Sequence, residues 1–188
     1  MSAADYDALR TAIVSGAAHI EITPLEPGDI EDIAWSGSRT HLENVVLQLQ
    51  RVANGDVDYL AVRANGHAVC KGGIDFAEEP GAGTIWQLAT HAQLEGIGLA
   101  TRLIHELEQR ALERGIGRLR LAVGLDNERA RWLYEYLGYR AIGESEVSWE
   151  SEAADGSRFL YTTKVTQMLK VVEPRRGRAG LRPRPRGE

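Results

Sequence analysis

The stretch Gln93-Leu94-Glu95-Gly96-Ile97-Gly98-Leu99-Ala100 places two glycines where an apolar segment gives way to an amphipathic one. Residues 84–89 before it are rich in β-forming side chains. The apolar residues after it recur at three- and four-residue steps, at Leu99, Leu103, Ile104, Leu107, Ala111 and Leu112. Glycines at a helix start let backbone N–H groups approach an anion, and the helix dipole favours negative charge there. The stretch therefore predicts a pyrophosphate cradle, with a plain strand–loop–helix connection as the alternative.

The rest of the chain alternates strand and helix signals around this stretch. The patterns predict a short helix within residues 1–17 and a helix opened by Pro27-Gly28-Asp29 that stops near Gly37. Further helices are predicted at 42–53, 97–114 and 127–137, and strands at 19–25, 57–63, 68–76, 84–90, 118–123, 139–150 and 158–170. Gly72-Gly73 within a strand predicts a bulge or a close backbone approach. This order predicts an α/β fold with a mixed, mostly antiparallel sheet of about seven strands and helices on both faces.

Composition and charge bound the class of protein. A chain of 188 residues with 26% charged and 43% hydrophobic residues is typical of one globular domain. The net charge is −5, but the segment from Glu173 onward carries six arginines. Residues 1–172 contain 16 basic and 25 acidic residues, so this part is distinctly acidic and favours cationic substrates such as amines.

The cysteine content and hydropathy exclude several other classes. The single cysteine, Cys70, rules out an intramolecular disulfide or a multi-cysteine metal site, and no metal is expected. Cys70 lies in an apolar strand pattern, which favours a buried thiol over a nucleophile. No run approaches the ~18 apolar residues that span a bilayer, and no secretory signal is evident. We therefore expect a cytoplasmic protein without a membrane partner.

The ends of the chain differ from its centre. Residues 1–17 are interpreted as an N-terminal extension and residues 18–172 as the one folded domain. Residues 173–188, rich in arginine and proline, predict a basic disordered tail. A solvated tail is the favoured interpretation, and a nucleic-acid or ribosome contact through its arginines is the alternative.

A second motif joins the glycine stretch in a known order. Residues 93–98 are similar to the Gln/Arg-x-x-Gly-x-Gly/Ala signature of the GNAT superfamily of acyl-coenzyme A-dependent N-acyltransferases. Residues 127–139, read as NERARWLYEYLGY, resemble that family's N-x-x-A-x-x-L-Y-x-x-x-G-[FY] helix. The two motifs lie about 30 residues apart, joined by a helix and a strand. On this basis residues 19–170 are identified as a member of the GNAT superfamily.

The resemblance implies where acetyl-CoA would bind. Strand 84–90 would separate from strand 118–124, so that backbone groups of its last residues pair with the pantetheine and the thioester carbonyl. The backbone from Gln93 onward would hold the pyrophosphate. The implied cofactor-binding residues are Leu88, Ala89, Thr90, Gln93, Leu94, Glu95, Gly96, Ile97, Gly98, Leu99, Ala100 and Asn127. Asn127 also fits a plain helix cap. Glu95 departs from the family pattern, and we expect its side chain to point to solvent and to weaken cofactor binding.

Tyr134 occupies the position whose phenol, by resemblance, protonates the departing thiolate. A phenol with an ordinary pKa near 10 suits this general-acid role, and core packing is the alternative. The general base stays unassigned, because strand 84–90 contains no carboxylate. Weak candidates are Glu78 and Glu79 in the preceding turn and His91 beside the cradle, with Asp75 weaker still. A water chain to solvent is a further alternative.

The expected reaction is acetyl transfer from acetyl-CoA to a primary amine of a small molecule or peptide. Two tryptophans, Trp35 and Trp149, could enclose the amine, although packing explains such residues as well. The other residues placed at the acceptor side by analogy are Arg39, His41, Glu144, Glu146, Glu150 and Glu152. Three alternatives stay open. The chain could be a CoA-binding module without turnover, it could use a different acyl donor, and it could form a homodimer through its last strands.

Overall fold

The computed structural model describes residues 1–153 and 155–173. Within them the chain forms four α-helices, α1 (Ala3–Ser15), α2 (Arg39–Ala53), α3 (Leu99–Glu113) and α4 (Glu128–Tyr136). The strands are β1 (Ile20–Pro24), β2 (Val57–Ala64), β3 (His67–Asp75), β4 (Gly83–Thr90), β5 (Arg118–Gly124), β6 (Arg140–Glu152) and β7 (Arg158–Val171). The predicted strands and the last three predicted helices are therefore confirmed to within a few residues at each end.

One seven-stranded sheet in the order β1-β2-β3-β4-β5-β7-β6 organises the molecule. All neighbours pair antiparallel except β4 and β5, which are parallel. That parallel pairing covers only Gly83–Ile85 against Leu119–Leu121. Beyond it the two strands separate, as the family resemblance implied, and the ends of their backbones are left unpaired with one another. The separation opens the middle of the sheet.

Helices cover both faces of the sheet because the strand side chains alternate between two cores. In β2, Leu60 and Val62 face a core that α1, α3 and α4 cover. Tyr59 and Ala61 face a second core, which α2 covers. We call these the α3 face and the α2 face of the sheet. The predicted two-sided mixed sheet is confirmed.

The first helix is joined to the main core. Ser2 and Asp5 form a capping box at its start, and Gly16 ends it with a left-handed φ of +77°. Tyr6 and Leu9 are buried in the core of the α3 face. The division of the chain at residue 17 stays a prediction, but the helix itself packs with the rest of the fold.

The helix predicted from Pro27 to Gly37 is wrong. The segment forms two short 3-10 turns instead, Pro27–Asp29 and Ala34–Ser36. Its acidic residues bond to the strands: Asp29 pairs with Arg63 of β2, and Asp32 accepts from the Ala68 N–H of β3 at 2.6 Å. These bonds to the strands compete with a regular helix.

The part of the predicted basic tail beyond Glu173 lies outside the described residues. Across the part of the chain that the structure does describe, no helix is long and apolar enough to cross a membrane.

Candidate active site

A cleft of about 550 Å³ opens on the α3 face, where β4 separates from β5. The ends of β4 and α4 form its walls, and the loop before α3 forms its floor. Most of the predicted cofactor residues line it: Leu88, Ala89, Thr90, Leu94, Glu95, Gly96, Gly98, Leu99, Ala100 and Asn127. Residues from two motifs that are distant in sequence thus meet in one cavity.

The glycine loop has the conformation that an anion cradle needs. Gly96 and Gly98 have φ values of +80° and +85°, a left-handed region that side chains disfavour. Gly98 is the N-cap of α3 and supplies no side-chain acceptor. Among the described residues no group accepts from the Leu99 or Ala100 backbone N–H. A Cβ on Gly98 would meet nothing within 4 Å, so the turn at the start of α3 has open space beside it, and its two unpaired N–H groups are donors of the kind that bind phosphate.

Helix α1 supports this loop from behind. The Arg10 guanidinium donates to the Gln93 carbonyl at 2.8 Å and to the Glu95 carbonyl at 3.0 Å. The Tyr6 ring stacks on His91 with centroids 3.6 Å apart. The N-terminal helix therefore fixes the shape of the loop, a contribution that no sequence motif indicated.

Two predicted cofactor residues do not line the cleft. The Gln93 carbonyl accepts a hydrogen bond from Arg10, and the Gln93 N–H donates to Nδ1 of His91 at 3.3 Å. Ile97 packs against the core of the α3 face. Both residues hold the loop in place and do not face the cavity.

Glu95 does not simply extend into solvent. Its carboxylate accepts from Arg129 of α4 at 2.5 Å, with both side chains substantially exposed. Arg129 also lines the cleft, and its guanidinium lies beside Gly96. Arg129, from the second motif, thus places a positive charge next to the cradle, and its ion pair with Glu95 of the first motif holds it there.

Tyr134 extends from α4 into the cleft. Its ring packs edge-on to Tyr139, with centroids 6.2 Å apart, and against the core. Burial raises the pKa of its phenol, so the group keeps its proton across the physiological range. None of the described residues forms a hydrogen bond with its hydroxyl. The packing and acid interpretations are therefore compatible, because the ring is held while the hydroxyl stays available.

Asn127 has a defined structural role. Its side-chain oxygen accepts from the Ala130 N–H at 3.0 Å and caps α4, as the cap interpretation expected. The residue also lines the cleft. Sequence reasoning did not place the other cleft residues, which include an exposed stacked pair, Trp132 and Tyr136. Their four-residue spacing on an amphipathic helix was the only available signal. The further residues are Thr101, Arg129, Ala130 and Leu133.

None of the candidate bases lines this cleft. Glu79 pairs with Arg120, and Asp75 pairs with Arg51 and accepts from two backbone N–H groups. Glu78 is exposed and borders a separate depression between α2 and β4. Burial lowers the pKa of His91, which stacks on Tyr6 and caps the 3-10 turn Ala92–Leu94. No cluster of three metal-ligating side chains occurs in residues 1–153 and 155–173.

The residues expected at the acceptor side are spread over several elements. Trp35 donates to the Ala68 carbonyl at 3.2 Å and contacts His91, whereas Trp149 contacts Tyr161 in the β6–β7 hairpin. Glu152 accepts from Thr40 at the start of α2, and Glu150 lies 3.5 Å from Arg158. The two tryptophans thus have packing partners of their own. The hairpin is anchored to α2.

Comparisons with known proteins find one matching family and several solved structures of the same fold. The family model for the acetyltransferase (GNAT) family matches residues 27–139, which span both motifs. A ribosomal-protein-S18-alanine N-acetyltransferase from Escherichia coli is 18% identical with a TM-score of 0.62, over 83% of this chain and 96% of its own.

Two further solved structures have the same fold. A putative acyl-CoA N-acyltransferase from Klebsiella pneumoniae is 25% identical with a TM-score of 0.55, over 82% of this chain and 98% of its own. An N-acetyltransferase from Thermoplasma acidophilum in complex with coenzyme A is 15% identical with a TM-score of 0.59, over 81% of this chain and 99% of its own.

Proposed function

The chain belongs to the GNAT acetyltransferase family, and we propose that it transfers an acetyl group from acetyl-CoA to a primary amine by direct attack in a ternary complex. The acceptor is a small molecule or a peptide. One observation carries this proposal: the glycine cradle with unpaired helix N–H groups and the free Tyr134 hydroxyl line the same cleft. Neither feature alone would define a reaction.

The cradle residues fit a pyrophosphate. The backbone N–H groups of Leu99 and Ala100 have no acceptor among the described residues and lie at the positive end of a 15-residue helix. Arg129 adds a cation beside them. Hydrogen bonds to a charged group contribute about 1.5–3 kcal/mol each, so a few such donors are enough to hold the diphosphate of the cofactor.

Leu88, Ala89 and Thr90 would hold the acyl end. Their backbone lies beyond the short parallel pairing with β5, so it is free to pair with pantetheine and with the thioester carbonyl. Acetyl-CoA supplies an activated acyl group as a thioester. A donor that faces the carbonyl oxygen while it gains charge typically contributes a few kcal/mol to the rate.

Tyr134 supplies the proton for the leaving sulfur. Its phenol is protonated at neutral pH, because the ordinary pKa of tyrosine is near 10 and burial raises it further. The acceptor must arrive as a neutral amine, and the lost proton goes to solvent through water, since the carboxylates considered as bases do not line the cleft. The excess of acidic residues outside the tail favours cationic acceptors.

A thiol-release assay with acetyl-CoA tests the proposal. The acceptor panel contains a polyamine, an aminoglycoside, free lysine and a peptide that begins with alanine. The peptide is included because two structurally similar proteins are ribosomal-protein alanine N-acetyltransferases. We expect thiol release with at least one acceptor, with a product one acetyl group heavier by mass spectrometry.

Binding measured in parallel separates the alternatives. Calorimetric binding of acetyl-CoA without turnover of any acceptor would indicate a CoA-binding module. Native mass spectrometry of the purified protein identifies any co-purified acyl-CoA, and a succinyl or propionyl species would replace the acetyl donor. Absence of both binding and turnover would overturn the proposal.

A further inference from the structure

Lys71 of β3 lies in a polar cluster on the α2 face of the sheet. Its ammonium donates to Tyr59 Oη at 2.9 Å and to the Gln87 carbonyl at 3.4 Å, and it lies 3.1 Å from Nε2 of His41. The Tyr59 hydroxyl in turn donates to Oε1 of Gln87 at 2.6 Å, and the Gln87 amide donates to Asn44 at 2.7 Å. The ammonium has three N–H groups and meets three acceptors.

The lysine is buried without a counter-ion. Its exposed fraction is 0%, and within residues 1–153 and 155–173 no carboxylate lies within 4 Å of its amine. The titratable groups that face it are Tyr59 from β2 and His41 from α2, whereas the neighbouring Cys70 lies in the core of the α3 face. Burying an uncompensated cation is unfavourable, so such a residue is unusual unless the site uses it.

The cluster surrounds a strained point in β4. Gln87 has a φ of +50°, one of two positive values among the described non-glycine residues. The β3–β4 register shifts at the same place, because Lys71 pairs with Ala89 whereas Gly73 pairs with Trp86. Two residues of β4 therefore stand opposite Gly72, so a β-bulge lies in β4, opposite the Gly72-Gly73 pair at which the sequence predicted a bulge or a close backbone approach. A strained residue persists only where its surroundings hold it.

The bulge stands directly before the residues that line the cleft. Leu88, Ala89 and Thr90 follow Gln87 and form the wall where β4 leaves β5. We propose that Lys71 is a positioning residue, which holds Gln87 in the bulge and thereby directs the Leu88–Thr90 backbone into the cleft. The effect of this positioning on catalysis rests on the proposed function. Its effect on the shape of the β4 backbone does not, since Lys71 acts through Gln87 and does not itself line the cleft.

The cluster gives this positioning a pH dependence. Burial lowers the pKa of Lys71 to about 8, and burial together with the Lys71 charge lowers the pKa of His41 to about 4. Near neutral pH the amine is therefore mostly protonated and His41 is neutral. Above about pH 8 the amine loses a proton and can no longer donate to all three acceptors.

Nuclear magnetic resonance can test the coupling without any substrate. The chain has three lysines, Lys71, Lys164 and Lys170, so their side-chain carbons can be followed separately. We expect the Lys71 signal to titrate near pH 8 and the carbonyl carbons of Gln87, Leu88 and Ala89 to shift with the same midpoint. Lys71→Met should abolish the carbonyl shifts, whereas the matched control Lys164→Met, at an exposed position, should keep them.

A second variant protects the test against misfolding. Tyr59→Phe keeps the ring that packs against Trp86 but removes the hydroxyl that links Lys71 to Gln87. Lys71 should still titrate in this variant, with smaller carbonyl shifts at Gln87 and Leu88. Carbonyl shifts that do not follow the Lys71 midpoint, or that persist in Lys71→Met, would overturn the proposal.

Kinetics supply the functional readout. Lys71→Met should lower kcat about tenfold, while the Kd for acetyl-CoA changes less than about threefold because the phosphate cradle is unaltered. A purely structural lysine would lower the melting temperature and leave kcat unchanged well below it. If no acceptor is turned over, the resonance experiment still decides the positioning role. If acetyl transfer is found but the carbonyls do not respond, the positioning role alone fails.

Discussion

The two faces of the sheet hold different kinds of site. On the α3 face, the cleft depends on backbone groups, on the glycines of one loop and on the start of one helix. On the α2 face, the Lys71 cluster depends on side chains from β2, β3, β4 and α2, which only the fold brings together. A site built from the backbone of one loop can be recognised from a short contiguous motif, whereas a cluster of side chains from four elements cannot.

The largest expected effect comes from filling the backbone cradle. Gly98→Val adds a β-branched side chain at a φ of +85° and places it where the phosphate would lie. The loss of two charge-assisted hydrogen bonds predicts that acetyl-CoA binds about 1000-fold more weakly. Calorimetry measures this Kd. Gly81→Val is the matched control, because Gly81 also has a left-handed φ, +76°, and open surroundings but lies away from the cleft.

The pH dependence of the free energy of unfolding tests the Lys71 cluster on the α2 face. Lys71 binds its proton less tightly when folded, with a pKa of about 8 against 10.5 in the unfolded chain. Between these values the unfolded state holds more protons, so folding stability rises with pH. Relative to Lys71→Met, the free energy of unfolding should rise by about 3 kcal/mol across this range.

Urea denaturation at a series of pH values measures that difference, with Lys164→Met as the control. A difference that stays flat from pH 8 to 10.5 would show that Lys71 titrates normally in the folded protein.

Tyr134→Phe tests the proposed general acid of the cleft. The ring packing against Tyr139 survives, but the proton donor is lost. We expect kcat to fall at least about tenfold with little change in the KM for acetyl-CoA, as for an interaction made in the transition state. Steady-state thiol release gives both values. Tyr161→Phe in the hairpin should behave like the parent protein, and an equal loss there would remove the special role of Tyr134.

The smallest effect is expected at the Glu95–Arg129 pair. Glu95→Gln removes a negative charge beside the cradle and releases Arg129 toward it. Exposed ion pairs contribute about 0–1 kcal/mol, so acetyl-CoA should bind about two- to threefold more tightly. The gain should fade between about 0.05 M and about 0.5 M salt as the charges are screened. Weaker binding would indicate that Glu95 orients Arg129 for the ligand.

Sequence patterns predicted most of the fold because local rules operate there. Apolar periodicity located α3, which runs from Leu99 to Glu113. The helix from Pro27 to Gly37 failed because Asp29 and Asp32 bond to strands that are distant in sequence. No pattern within that segment reports those partners.

The candidate site divides in the same way. The cradle and Tyr134 could be placed because each lies in a motif of known spacing, and both line the cleft. Arg129 was part of the second motif, but its approach to Gly96 depends on how α4 packs. The support from Arg10 and the cluster around Lys71 had no local signal. Their partners lie 12 to 85 residues away along the chain.

The sequence by itself determined the order of elements, the glycine loop and the tyrosine helix, because glycine conformation, helix capping and side-chain periodicity act over a few residues. The tertiary structure decided which side chains contact these elements. Arg129 of α4 and Arg10 of α1 contact the glycine loop, and the buried Lys71 contacts the bulge in β4. Charge and burial depend on all neighbours at once, so these features exist only when distant segments pack together.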